Sequence, residues 1–123
     1  MNALLTILSE RAPDSPIMIL RLIGRLDAST VTQLERTLSD AQQAGVRAIL
    51  IDLSQLVYVS SSGLRVMLSA RSAIRKKGGD IFLCALSHPV REVFDMVGFS
   101  AIFSLFENVE MGMEAASILT KTR

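Results

Sequence analysis

Apolar and polar residues nearly alternate over residues 4–10, the period of a half-buried strand. Residues 12–16 break the pattern, because Pro13 and Pro16 fix φ and remove backbone donors. Residues 17–23 are then rich in β-branched and aliphatic side chains as far as Gly24, which predicts a second strand and an opening hairpin. From there the period lengthens. Val31, Leu34, Leu38 and Ala41 recur at helical spacing, Glu35, Arg36 and Asp40 are left for solvent, and Gly45 follows as a stop. Thr30 and Gln33 have the spacing of a capping box, with Asp27 and Ser29 as alternative caps.

Residues 47–53 form a nearly unbroken apolar run, which suits an interior strand covered on both faces, and residues 56–59 are a short extended piece. A helix is predicted from Ser62 or Gly63 to Lys77, with Leu64, Met67, Leu68 and Ile74 on one face. Lys76-Lys77-Gly78-Gly79 is its stop, since cations and a left-handed glycine both favour a helix C-terminus. Residues 80–86 are another buried strand. Ser87-His88-Pro89 opens the next helix, with Ser87 or His88 as cap and Val90, Val93, Phe94 and Val97 facing inward as far as Gly98. A last strand over 101–106 and a helix over 109–119, with Met113, Ala116 and Leu119 on one face, complete the pattern, and residues 120–123 are expected to fray. The order β-β-α-β-α-β-α-β-α predicts a single α/β domain over residues 1–123, a mixed, mostly parallel sheet packed by about four helices.

Composition narrows the function more than the fold. A chain of 123 residues is long enough to bury its own core. Mean hydropathy is high at +0.40, yet apolar runs such as 81–86 fall far short of the ~18 residues a membrane span needs. Buried strands account for the hydropathy, so no direct membrane insertion is expected. The N-terminus has neither a basic n-region nor a long apolar h-region, so a cytoplasmic protein is the expectation. A net charge of +1 with scattered Lys and Arg, and no Trp, argues against nucleic acid. The lone Cys84 lies in an apolar run and reads as core, which excludes a disulfide within one chain or a thiolate metal site. Glycine-rich phosphate loops and clusters of metal ligands do not occur, so neither cofactor nor metal is expected.

The candidate chemistry sits at Ser60-Ser61-Ser62-Gly63-Leu64, where a strand-side loop becomes a helix. First-turn amides there lack intrahelical partners, and the helix end carries about +0.5 of an elementary charge. Ser61 or Ser62 can serve as the N-cap. A serine nucleophile would need a base, but the one histidine, His88, falls in a helix opening, and Val59 stands where a Gly-x-Ser-x-Gly elbow has glycine. No catalytic residue is therefore expected. Asp27 is either a helix cap or part of a partner-facing surface. Asp52 and Ser54 are expected to fix the turn after their strand; Val57 and Tyr58 are candidates to anchor a partner, with core packing the expectation for Val57.

Gly24-Arg25-Leu26-Asp27-Ala28, Ile51-Asp52-Leu53-Ser54 and Ser61-Ser62-Gly63-Leu64, in that order and spacing, resemble the STAS domain family, whose prototypes are bacterial anti-sigma factor antagonists. The resemblance covers nearly the whole chain, through Phe94, Gly98-Phe99, Ile102-Phe103 and a closing helix around Glu114-Ala115. It implies a protein-binding switch that captures an anti-sigma factor, itself a serine kinase, while unphosphorylated. It further implies phosphorylation of the first Ser of Ser-Ser-Gly, here Ser61 with Ser60 and Ser62 as neighbouring hydroxyls, and reversal by a metal-dependent serine phosphatase. The partner-binding residues expected around the loop are Asp27, Ser60, Ser62, Gly63 and Leu64, with Tyr58 as an apolar neighbour of the loop and Arg65 about one helical turn after Ser61. One departure stands out: phosphorylated members commonly carry Asp before the acceptor, and this chain carries Ser60. The competing expectation is a non-phosphorylated subunit of a stress-signalling scaffold or of a lipid-transport ABC system.

Overall fold

The computed structural model describes residues 4–121. Its elements are β1 (Leu5–Glu10), β2 (Ile17–Leu26), α1 (Val31–Gln43), β3 (Ala48–Val59), α2 (Ser61–Arg75), β4 (Asp80–Cys84), α3 (His88–Val97), a 3₁₀ turn (Phe99–Ala101), β5 (Ser104–Phe106) and α4 (Val109–Lys121). The five strands lie in the order β1-β2-β3-β4-β5, with β1 antiparallel to β2 and the other three pairings parallel. This is the expected mixed sheet and the expected element order.

Three layers follow from the side-chain alternation of the central strands. Ile49, Ile51 and Leu53 of β3 and Ile81 and Leu83 of β4 join a core that also takes Leu34 and Leu38 of α1, Met67 and Ile74 of α2, and Val90 and Phe94 of α3. Ala48 and Leu50, with Phe82 and Cys84, face the other way and meet Ala116, Met113 and Leu119 of α4. Burial on both faces is why these strands read as unbroken apolar runs. The helix stop at Gly45 forms as expected: Gly45 has φ +88°, its N–H donates to the Gln42 carbonyl at 3.1 Å, and the Val46 N–H donates to Ala41 at 3.0 Å.

Several boundaries differ from the sequence pattern. β2 runs past Gly24 to Leu26, and the 56–59 piece is continuous with β3. α2 starts at Ser61, before the predicted Ser62 or Gly63, and β5 keeps only Ser104–Phe106 of the predicted strand because Phe99–Ala101 coils into a 3₁₀ turn. Leu68 and Val97 are exposed, since each lies at the margin of its helix's buried stripe. Thr120 is helical, its hydroxyl donating to the Ala116 carbonyl, and residues 122–123 lie outside the described residues.

α4 lies unusually close to the sheet. A Cβ added at Gly112 would come within 2.5 Å of the Cys84 sulfur, so only glycine allows this approach. The Cys84 thiol is buried there, and burial is the main cause that pushes its pKa up to about 11. Two outcomes are expected. Cys84 should stay unreactive to a disulfide-exchange reagent at neutral pH until the protein is unfolded. Gly112→Val should lower stability by about 1–3 kcal/mol in urea denaturation and expose Cys84 to the reagent in the native state.

Candidate functional site

β2 and β3 run parallel to a common rim, where Leu26 pairs with Val59. The Ser60 N–H donates to the Leu26 carbonyl at 2.9 Å, so the chain stays in the sheet up to the residue at which α2 begins. Ser60 is extended (φ −92°, ψ 171°), and its hydroxyl accepts the Gly63 N–H at 3.2 Å. The cap of α2 is therefore Ser60, not Ser61 or Ser62 as expected. Extended backbone is what an N-cap requires, and only Ser60 still belongs to the strand direction. The Ser60 carbonyl receives the Leu64 N–H at 3.0 Å, which closes the first helical turn.

The three serines thus divide their roles. Ser60 Oγ and Ser62 Oγ share a hydrogen bond at 2.9 Å, and both residues are half-buried. Ser61 is the first helical residue, exposed, and its hydroxyl forms no hydrogen bond among the described residues. Gly63 is buried beneath it; a Cβ there would fall 2.8 Å from Leu26 Cγ and 3.1 Å from Val59 Cγ2. Leu64 is only 6% exposed and packs in the main core. Gly63 and Leu64, expected on a partner-facing surface, instead hold the loop against the sheet from below.

Arg65 is exposed one turn along α2 from Ser61. Asp27 lies where β2 leaves the sheet. Its carboxylate accepts the Ser29 hydroxyl at 2.7 Å and the Ser29 N–H at 3.0 Å, and the Ser29 hydroxyl is the first cause that holds its pKa below the usual carboxylate value. Asp27 therefore shapes the turn into α1. The Thr30–Gln33 capping box does not form: the Thr30 hydroxyl donates back to the Arg25 carbonyl at 3.0 Å and accepts the Asp27 N–H at 2.9 Å, and Gln33 Nε2 donates to the Leu5 carbonyl at 3.1 Å. Asp52 accepts the Ser54 N–H at 3.0 Å, as expected of a local brace, though within a strand irregularity and not a turn.

Tyr58 is exposed as expected, at 40%, but Val57 is exposed too, at 57%, against the expectation of core packing. Its exposure comes from the register. Gly24 pairs with Leu56 and Arg25 with Tyr58, so β3 has one residue more than β2 across that step. An extra residue re-aims the side chains beside it, and here Val57 and Tyr58 both turn outward between buried Leu56 and Val59. The Arg25 guanidinium lies 4.3 Å above the Tyr58 ring, and Arg25 Nε is 3.7 Å from an Asp27 oxygen. Arg25 was missed by the sequence pattern, because its neighbour across the sheet is fixed only by register. Ser87 is the N-cap residue of α3, one of the two expected, but its hydroxyl makes no cap bond and instead donates to the Leu56 carbonyl, bracing β3 just below the rim. His88 is exposed, with Nε2 3.5 Å from Glu92 Oε2.

Fold and site together define an α/β domain that presents one unengaged serine hydroxyl at a helix N-terminus, with no base hydrogen-bonded to it. Residues 10–112 match the STAS domain model, and the chain belongs to the STAS domain family. It is 38% identical over 106 residues to BtrV of Bordetella bronchiseptica, named as an anti-sigma factor antagonist, covering 86% of this chain and 88% of that protein. It is 32% identical over 93 residues to the anti-sigma F factor antagonist of Paenibacillus polymyxa, covering 75% and 80%. In fold it is similar to the anti-sigma factor antagonist SpoIIAA in its unphosphorylated form (TM-score 0.77, 24% identity, 89% and 95% covered) and to Bacillus SpoIIAA in its phosphorylated form (TM-score 0.70, 23% identity, 89% and 98% covered).

The cap assignment makes a stability prediction. Ser60→Ala should cost about 0.5–2 kcal/mol in urea denaturation, and Ser61→Ala should stay within ~0.5 kcal/mol of the unsubstituted protein. Equal losses at the two positions would contradict the assignment.

Proposed function

We propose that this protein is an anti-sigma factor antagonist, a binding switch that captures an anti-sigma factor while Ser61 is unphosphorylated. The observation that carries the reading is the state of Ser61: an exposed hydroxyl, unbonded, at the first position of α2, in a STAS chain 38% identical to BtrV. The partner is an anti-sigma factor that is also a serine kinase. It transfers the γ-phosphoryl group of ATP to Ser61 Oγ, releasing ADP and the hydroxyl proton, and a metal-dependent serine phosphatase hydrolyses the ester.

The physics of such a switch is local. A phosphoserine adds about −1.5 to −2 charges and strong acceptor oxygens. The domain tolerates that charge, because it falls at the positive end of α2, and because the cap oxygen belongs to Ser60 and is not displaced. A docked partner does not tolerate it, since the charge must be desolvated beneath the interface. Binding is therefore blocked without a change of fold. Asp27 and Tyr58 border the loop and are assigned to the docking surface with Ser60, Ser62 and Arg65.

Incubating the protein with its cognate kinase and ATP should place one phosphate on Ser61, read by mass spectrometry. Ser61→Asp should weaken capture of that kinase by roughly thirtyfold or more, as expected for burying an unpaired charge at about 2–5 kcal/mol, while Ser61→Ala binds like the unsubstituted protein. An unmodified Ser61, with full binding by Ser61→Asp, would refute the switch.

A further inference from the structure

We propose that Val57 and Arg25, together with Tyr58, form a recognition patch that accepts an apolar side chain flanked by a carboxylate on the anti-sigma partner. The inference rests on the reading of Ser61 as the docking loop, and it adds two residues that set which partner docks.

The extra residue in β3 places two hydrophobic neighbours on the outside of the sheet rim, where regular alternation would have buried one of them. Their position ties them to the loop. Val57 is four residues before Ser61, at most ~14 Å along the chain. An interface of ordinary size covers about 800 Å² of each partner, a footprint wide enough for a protein seated on Ser61 to reach Val57 and Tyr58.

Arg25 supplies the polar half of the patch. Stacking on Tyr58 at 4.3 Å orders its guanidinium, so less freedom is lost when the planar fork meets a carboxylate. Its donors remain open: the approach to Asp27, at 3.7 Å, is longer than a hydrogen bond, and the Arg25 side chain makes no hydrogen bond among the described residues. Arg65 adds a second exposed cation one turn from Ser61. The complementary surface is apolar with acidic residues around it. A second copy of this chain would set arginines against arginines if it docked patch to patch, so the partner of opposite charge is the occupant. Tyr and Arg are also the residue types that most often dominate binding energy at interfaces.

The test measures binding of the purified cognate anti-sigma kinase, with ADP and Mg²⁺, to the full chain at low and high salt. Val57→Ser should weaken binding about tenfold at both salt concentrations. Arg25→Gln should weaken it about tenfold at low salt and flatten the salt dependence. Both substitutions are at exposed positions, and unchanged urea midpoints would show that the fold is intact. If the unsubstituted protein binds and Ser61→Asp does not, yet both patch variants bind within about twofold of it, the patch proposal fails and the docking loop stands. If Ser61→Asp binds fully, the loop reading itself fails. A concentration-dependent dimer in sedimentation velocity that Val57→Ser abolishes would assign the patch to a second copy and overturn the proposal.

Discussion

The start of α2 depends on a contact that leaves no room for a side chain. Gly63 lies directly on Leu26 and Val59, the last residues of two adjacent parallel strands. With a β-carbon at that position the first turn of the helix would have to lift off the sheet. Because it does not lift, Ser60 can remain bonded to the Leu26 carbonyl while its hydroxyl caps the helix, and Ser61 is left on top with nothing to hold. The exposed hydroxyl is a by-product of tight packing below it. Leu64, buried one residue further on, anchors the same turn into the main core.

How much of this was legible in the sequence depends on whether a single strand or helix carried the information. β3 and β4 were legible because burial on both faces writes itself as an apolar run. The helix stop at Gly45 was legible because it needs only local backbone geometry. Val57 was not, because the extra residue that turns it outward exists only relative to β2. Arg25 was invisible for the same reason, since its stacking on Tyr58 is a cross-strand fact. Leu68 and Val97 share their helical face with buried residues, and periodicity does not say how wide a stripe the neighbouring helices cover. The strand-to-helix junction falls at the serines as expected, but the cap lies one or two residues before the expected Ser61 or Ser62. Three consecutive hydroxyls give no local preference, and the choice is made by the last sheet hydrogen bond.

The family resemblance and the geometry contribute different things. Resemblance attached a biological role to a loop that the strand-to-helix pattern had already located. Geometry separated the three serines, one capping, one bridging and one unengaged, and moved Gly63 and Leu64 from the expected surface to its foundation. The proposed docking face is thus narrower at the helix and broader along the strand rim than the sequence pattern drew it.

The chemical nature of the α2 cap and of the Asp27 turn beside it has a consequence for acid conditions. α2 is capped by a hydroxyl, which does not titrate between mild acid and mild base, so the shape of the loop holds wherever the fold holds. The neighbouring turn into α1 is shaped by the Asp27 carboxylate, and it loses that brace only as pH falls through a pKa already depressed below the ordinary carboxylate value. Acidification by a unit or so from neutral pH leaves both elements unchanged. Mild acid therefore does not reshape the rim, whereas the proposed phosphate on Ser61 acts on it directly.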